Sequence, residues 1–71
     1  MSAIEMFLKL DYKLIRNDED RMIYVYIYNH DCDIYFDKKE KYIYGLPNYD
    51  GVINMDLLKA FNKQCEELGW L

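Results

Sequence analysis

The chain has 71 residues, 52% of them hydrophobic and 31% charged, a mixture that supports a core and argues against disorder. Thirteen acidic residues against nine basic ones give a formal charge of -4, which repels phosphate backbones and speaks against nonspecific binding to nucleic acid or anionic membranes. A single domain of this length, residues 1–71, buries only about 60% of its unfolded surface, so oligomerisation or a bound partner would supplement a thin core.

No apolar run approaches the length that spans a bilayer, and the N-terminal stretch lacks the basic region and long apolar segment of a signal peptide. A cytoplasmic protein is therefore expected, with Cys32 and Cys65 as free thiols.

Ser2-Ala3-Ile4-Glu5 reads as a capping box, and Ala3, Met6, Phe7 and Leu10 then fall at i, i+3, i+4 and i+7 on one face of a short helix. Asp11 tolerates the left-handed conformation and should end it. Tyr12 to Asn17 reads as a first strand, and residues 17–20 as the polar turn after it. Its register is open: a three-residue loop sets Ile15 opposite Ile23, whereas a four-residue loop sets Leu14 there.

Arg21 to Tyr28 is the strongest strand signal. Ile23, Val25 and Ile27 alternate with Met22, Tyr24, Tyr26 and Tyr28, so a period of two separates an aliphatic face from a tyrosine face. A turn at residues 29–32 then pairs Val25 with Phe36, Tyr26 with Tyr35 and Ile27 with Ile34, with matching faces. Lys38 to Lys41 leads to a short fourth strand, in which Ile43 meets Phe36 and Tyr44 meets Tyr35. A row of Tyr26, Tyr35 and Tyr44 would cross three strands.

Residues 45–51 contain the sole proline, Pro47, and read as a loop returning to the other side of the sheet. Asn54 caps a second helix with Asp56 in its first turn, and Leu58, Phe61, Cys65 and Leu68 share its buried face beside Leu57. Gly69 stops that helix, and Trp70 is expected to pack back as an anchor, the alternative being an exposed contact residue. The expected fold is α+β: a three- to four-stranded antiparallel meander with an N-terminal and a C-terminal helix on one face, in the order α-β-β-β-β-α.

Three stretches, Glu5-Met6-Phe7-Leu8-Lys9-Leu10-Asp11-Tyr12-Lys13, Ile34-Tyr35-Phe36-Asp37, and Ile53 to Ala60 continuing through Glu67-Leu68-Gly69-Trp70, resemble a group of small uncharacterised phage and prophage proteins of Gram-positive bacteria. The resemblance implies a phage-encoded protein of the bacterial cytoplasm. It carries over no activity and no site residues, and Asp11 and Asn54 stand where glycine and threonine are expected in that group.

His30-Asp31-Cys32-Asp33 is the one cluster with metal-ligand residue types, but tetrahedral sites need a second ligand pair, and a solvated turn is the simpler reading. No metal or cofactor is expected. Asp18, Glu19 and Asp20 read as a solvated turn rather than an acid/base pair, and no phosphate loop or activated nucleophile appears, so an enzyme is not expected.

The tyrosine face is the stronger candidate. Tyr24, Tyr26, Tyr28, Tyr35, Tyr42 and Tyr44 are all expected opposite the helices, a patch of roughly 450–750 Å² that approaches one side of a protein interface. Aromatic sheets also stack bases, but those sites need a cationic groove, which Asp33, Asp37 and the net charge oppose. The sequence thus points to a protein-interaction module that forms a homodimer or binds a host or phage protein. An acidic mimic of nucleic acid that blocks a host enzyme is the alternative.

Overall fold

The structure is a computed structural model that describes residues 1–29, 31–45 and 53–71. It has the order α1 (Ala3–Lys9), β1 (Tyr12–Asn17), β2 (Arg21–Tyr26), β3 (Ile34–Asp37), β4 (Tyr42–Tyr44) and α2 (Met55–Glu67). The strands form one antiparallel sheet in the order β1-β2-β3-β4, so the expected α+β meander is the observed fold. The loop expected at residues 45–51 lies, apart from Gly45, outside the described residues.

Local signals act where expected. Ser2 accepts from the Glu5 amide while Glu5 accepts from the Ser2 amide, closing the capping box. Asp11, at φ 67°, takes the left-handed position after α1, and its amide donates to the Leu8 carbonyl at 3.0 Å. Asn54 accepts from the Leu57 amide at 2.9 Å to start α2. Gly69 ends it at φ 77°, with the Trp70 amide donating to Cys65 O and the Gly69 amide to Glu66 O, the two bonds of a Schellman motif. Trp70 packs back, its ring centroid 6.2 Å from that of Phe36.

The core lies between the sheet and both helices. Phe7 of α1 stacks on Tyr24 of β2 at 4.1 Å, and Phe61 of α2 contacts both Phe7 and Phe36. Tyr12, Met22, Ile34, Leu57 and Ala60 complete the buried set. The helices also meet directly. Glu67, at the end of α2, accepts from the Ala3 amide in the first turn of α1 at 2.8 Å, satisfying a donor that the helix itself leaves unpaired.

Two expectations are corrected. The buried stripe of α2 is Leu57, Ala60, Phe61 and Gln64, with Cys65 and Leu68 half-buried and Leu58 exposed, so the helix is turned from the expected face. The β2–β3 register also differs: Met22 pairs with Phe36, Ile23 with Tyr35 and Tyr24 with Ile34, a shift of three residues from the expected pairing. An odd shift exchanges faces, so Met22, Tyr24 and Tyr26 turn to the core while Ile23 and Val25 turn away. The cause is a longer connection. Ile27 donates to Asp11 O beside β1 instead of pairing with Ile34, and residues 27–33 separate the two strands.

The open register of the first hairpin is settled by a bulge. Leu14 stands opposite Tyr24, as the three-residue loop requires, but Arg16 replaces Ile15 opposite Ile23. Asp18 organises the turn by accepting from the Asp20 and Arg21 amides. The Arg16 guanidinium and those amides hold its carboxyl down at about 2.

Tyr24 is fully buried, and its hydroxyl donates to Gln64 Oε1 at 2.5 Å. Gln64→Leu should strand that hydroxyl and cost about 1–3 kcal/mol in urea unfolding, while adding Tyr24→Phe should recover most of the loss. Simple additivity of the two single losses would sink this coupling.

Burial, with a smaller contribution from the charge of Glu67, holds the Tyr24 phenol well above its ordinary value. The folded state therefore keeps a proton that the unfolded chain releases near pH 10. Stability should be full below that pH and fall as pH rises beyond it. Tyr24→Phe should flatten the alkaline limb of a pH–stability profile, and an unchanged limb would contradict the assignment.

Candidate functional site

Both helices pack on one face of the sheet, leaving the other face uncovered by any described element. Strand alternation, with the bulge in β1, places on it Lys13 and Arg16 of β1, Arg21, Ile23 and Val25 of β2, Tyr35 and Asp37 of β3, and Tyr42 and Tyr44 of β4. Asp33, just before β3, shares the face and accepts from the Tyr35 hydroxyl at 3.4 Å. One transverse row runs Arg16, Ile23, Tyr35, Tyr44, and the next runs Arg21, Asp37, Tyr42.

Tyr35 and Tyr44 form the aromatic centre, stacked at 4.8 Å with an interplanar angle of 13°, and Tyr42 meets Tyr44 edge-on at 5.5 Å. Their pairing across β3 and β4 is the expected one, as is that of Ile43 with Phe36. Burial raises the Tyr35 phenol above its usual value, with the charge of Asp33 adding to it, whereas Tyr42 is raised first by Asp37. Both hydroxyls therefore stay neutral donors at ordinary pH.

Tyr24, Tyr26 and Tyr28 do not belong to this face. Tyr24 is in the core, and Tyr26 is half-buried on the same side with its ring 5.1 Å from that of Tyr12. Tyr28 lies beyond the end of β2, exposed and edge-on to Tyr26. The tyrosine row therefore contains Tyr35 and Tyr44, with Ile23 where Tyr26 was expected. Ile23, Val25, Lys13 and Arg21 are the face residues that sequence alternation assigned elsewhere or left out. The signal that could have found them is Gln64: a polar residue on the buried stripe of α2 calls for a polar partner in the core, and a tyrosine supplies one.

The charges on the face are segregated. Lys13, Arg21 and the Asp18-paired Arg16 lie on the β1–β2 half, Asp33 and Asp37 on the β3 side. Arg21 and Asp37 stand opposite each other, yet among the described residues neither they nor Lys13 form an ion pair. Arg21 Nε and Asp33 Oδ1 are buried with no hydrogen-bond partner among the described residues.

The remaining clusters offer less. A groove of about 310 Å³ is lined by Met1, Met6, Lys9, Leu10, Asp56 and Lys59, near the lower end of ligand-pocket volumes. Among the described residues no three of His, Cys, Asp and Glu gather where they could hold a metal ion, and His30 lies outside those residues. Cys32 is buried and Cys65 half-buried, both as free thiols, and burial pushes the Cys65 thiol up. No helix among the described residues is long and apolar enough to cross a membrane. No protein-family model matches the chain, and no curated protein or solved structure is significantly similar to it.

Gly45 holds the aromatic stack in place. Its φ is 64°, and an added Cβ would lie 2.5 Å from Tyr35 Cδ2 and 2.9 Å from the Asp33 carbonyl. Gly45→Ala should therefore lower stability by roughly 1–3 kcal/mol and weaken the near-ultraviolet circular dichroism of the stacked rings. Wild-type melting with an unchanged spectrum would show that the stack does not depend on this approach.

Proposed function

We propose that the chain is a small non-enzymatic protein-interaction module whose recognition surface is the uncovered sheet face, centred on Ile23, Val25, Tyr35 and Tyr44. A phage or prophage origin and a place in the bacterial cytoplasm belong to this reading through the sequence resemblance alone. The observation that carries it is the juxtaposition of a stacked tyrosine pair with two half-buried aliphatic residues on a face neither helix covers. Such a surface has an apolar centre and a polar rim, the anatomy of a protein interface.

The alternative is an acidic mimic of nucleic acid. Its acidic candidates are Asp18 and Asp20 in the first turn and Asp37 and Glu40 in the third. Lys39 pairs with Asp20 at 3.2 Å, and Lys38 Nζ donates to Asn17 Oδ1 at 2.7 Å beside the same turn, so lysines interrupt the negative surface. A mimic needs a continuous run of negative charge, which favours the first reading.

Val25→Glu separates the two. The side chain points away from the core, so the variant should melt within a few degrees of wild type. As bait in a bacterial lysate it should lose the proteins the wild type captures, because burying an unpaired carboxylate in an interface costs on the order of several kcal/mol. A mimic would keep its target, since its acidic turns are untouched. Retention of every captured protein by folded Val25→Glu would overturn the proposed surface.

A further inference from the structure

We propose that the partner of the uncovered face is a second copy of this chain, docked face to face about a two-fold axis parallel to the strands and lying between β2 and β3. This inference rests on the reading of that face as a protein-interaction surface and names its occupant. Its basis is the division of charge.

A face-to-face dimer has two simple placements of its axis. An axis perpendicular to the strands lays β1 on β1 and β2 on β2 and, placed at the level of Ile23, brings Lys13 of one copy beside Arg21 of the other and Asp33 toward Asp37. Like charges then meet at both ends of the contact, which is unfavourable. An axis parallel to the strands lays β2 over β3 and β1 over β4 of the other copy. Basic and acidic halves then face each other twice, as the self-complementarity of a two-fold interface requires.

The register sharpens the match. Arg21 and Asp37 are cross-strand partners at one level of the sheet, and the parallel axis keeps each residue at its level. Each Arg21 is thus carried over Asp37 of the other copy, and each Ile23 over Tyr35. Neither Arg21 nor Asp37 forms an ion pair within its own chain among the described residues, so the crossing displaces no existing pair, and Asp37 Oδ1 goes on accepting from the Lys39 and Glu40 amides. Lys13, level with Val25, approaches the side that carries Asp33, and Arg16, in the row of Ile23, is carried over the ring of Tyr44, an arrangement that suits a guanidinium group.

Size sets the strength of the contact. Four strands spaced about 4.8 Å apart and some five residues long cover roughly 300–400 Å² per copy. That is about half of one side of a standard interface, so the dimer is weak and concentration-dependent.

The test is charge exchange, read by sedimentation equilibrium up to millimolar protein. Wild type should dimerise with a dissociation constant in the high micromolar range. Lys13→Glu with Arg21→Glu makes the face acidic, and Asp33→Lys with Asp37→Asn makes it basic. Asn at position 37 keeps an oxygen for the Lys39 and Glu40 amides that Asp37 Oδ1 now accepts. Each double variant alone should dimerise at least about tenfold more weakly, and their equimolar mixture should regain association. If a double variant melts early, the exposed single change Lys13→Glu, mixed with Asp33→Lys, asks the same question with less disturbance.

A monomeric wild type at millimolar concentration, or a mixture no tighter than its components, would overturn the second copy. The interaction face itself would survive that result if Val25→Glu still abolished lysate capture. It would fall with the dimer if Val25→Glu changed neither.

Discussion

Tyr24, fully buried, has both a large ring to accommodate and a hydroxyl to satisfy, and each helix meets one of these requirements. Phe7 of α1 stacks on the ring, while Gln64 of α2 accepts the hydroxyl proton. A fully buried phenol without an acceptor would cost a large part of the margin available to a small domain. With one, the tyrosine binds the middle of the sheet to both ends of the chain. Phe36 and Phe61 surround this pair with edge and tilted contacts, so the core is aromatic where a β2 of Ile, Val and Ile would have made it aliphatic.

Element order, the helix boundaries and the β3–β4 pairing were legible because each rests on local chemistry. Ser2 with Glu5, Asp11, Asn54 and Gly69 act within a few residues of themselves. The face of β2 was not legible, because strand alternation divides residues into two sets without saying which set is inside. Branched aliphatics suggested one answer, and the ring area of Met22, Tyr24 and Tyr26 against Phe7 and Tyr12 supplied the other. A hairpin with matched faces can be drawn in either parity. Only the length of the connection between β2 and β3, and a glutamine contributed by a helix forty residues away in sequence, decide between them.

That inversion changes the kind of surface the sheet presents. A face of six tyrosines would have been broad and uniform, able to meet many partners through ring contacts alone. The observed one has a short apolar centre and unlike charges on its two sides, so orientation matters as much as area. Charge that contributes little to the affinity of an exposed pair still discriminates between docking poses, since a wrong pose sets like charges together. The β1 bulge contributes by bringing Arg16, held by Asp18, into the row with Ile23 and Tyr35.

The bond from the Ala3 amide to Glu67 joins residues 64 positions apart, and it makes the seven-residue α1 dependent on the last turn of α2. A helix of that length has little stability of its own in water, so it persists only while its face and its first amides are occupied. The two segments most distant in sequence therefore form one cooperative opening unit. Fraying of the last turn of α2 exposes the first turn of α1, and amide exchange in these two turns is coupled although 64 positions of chain separate them.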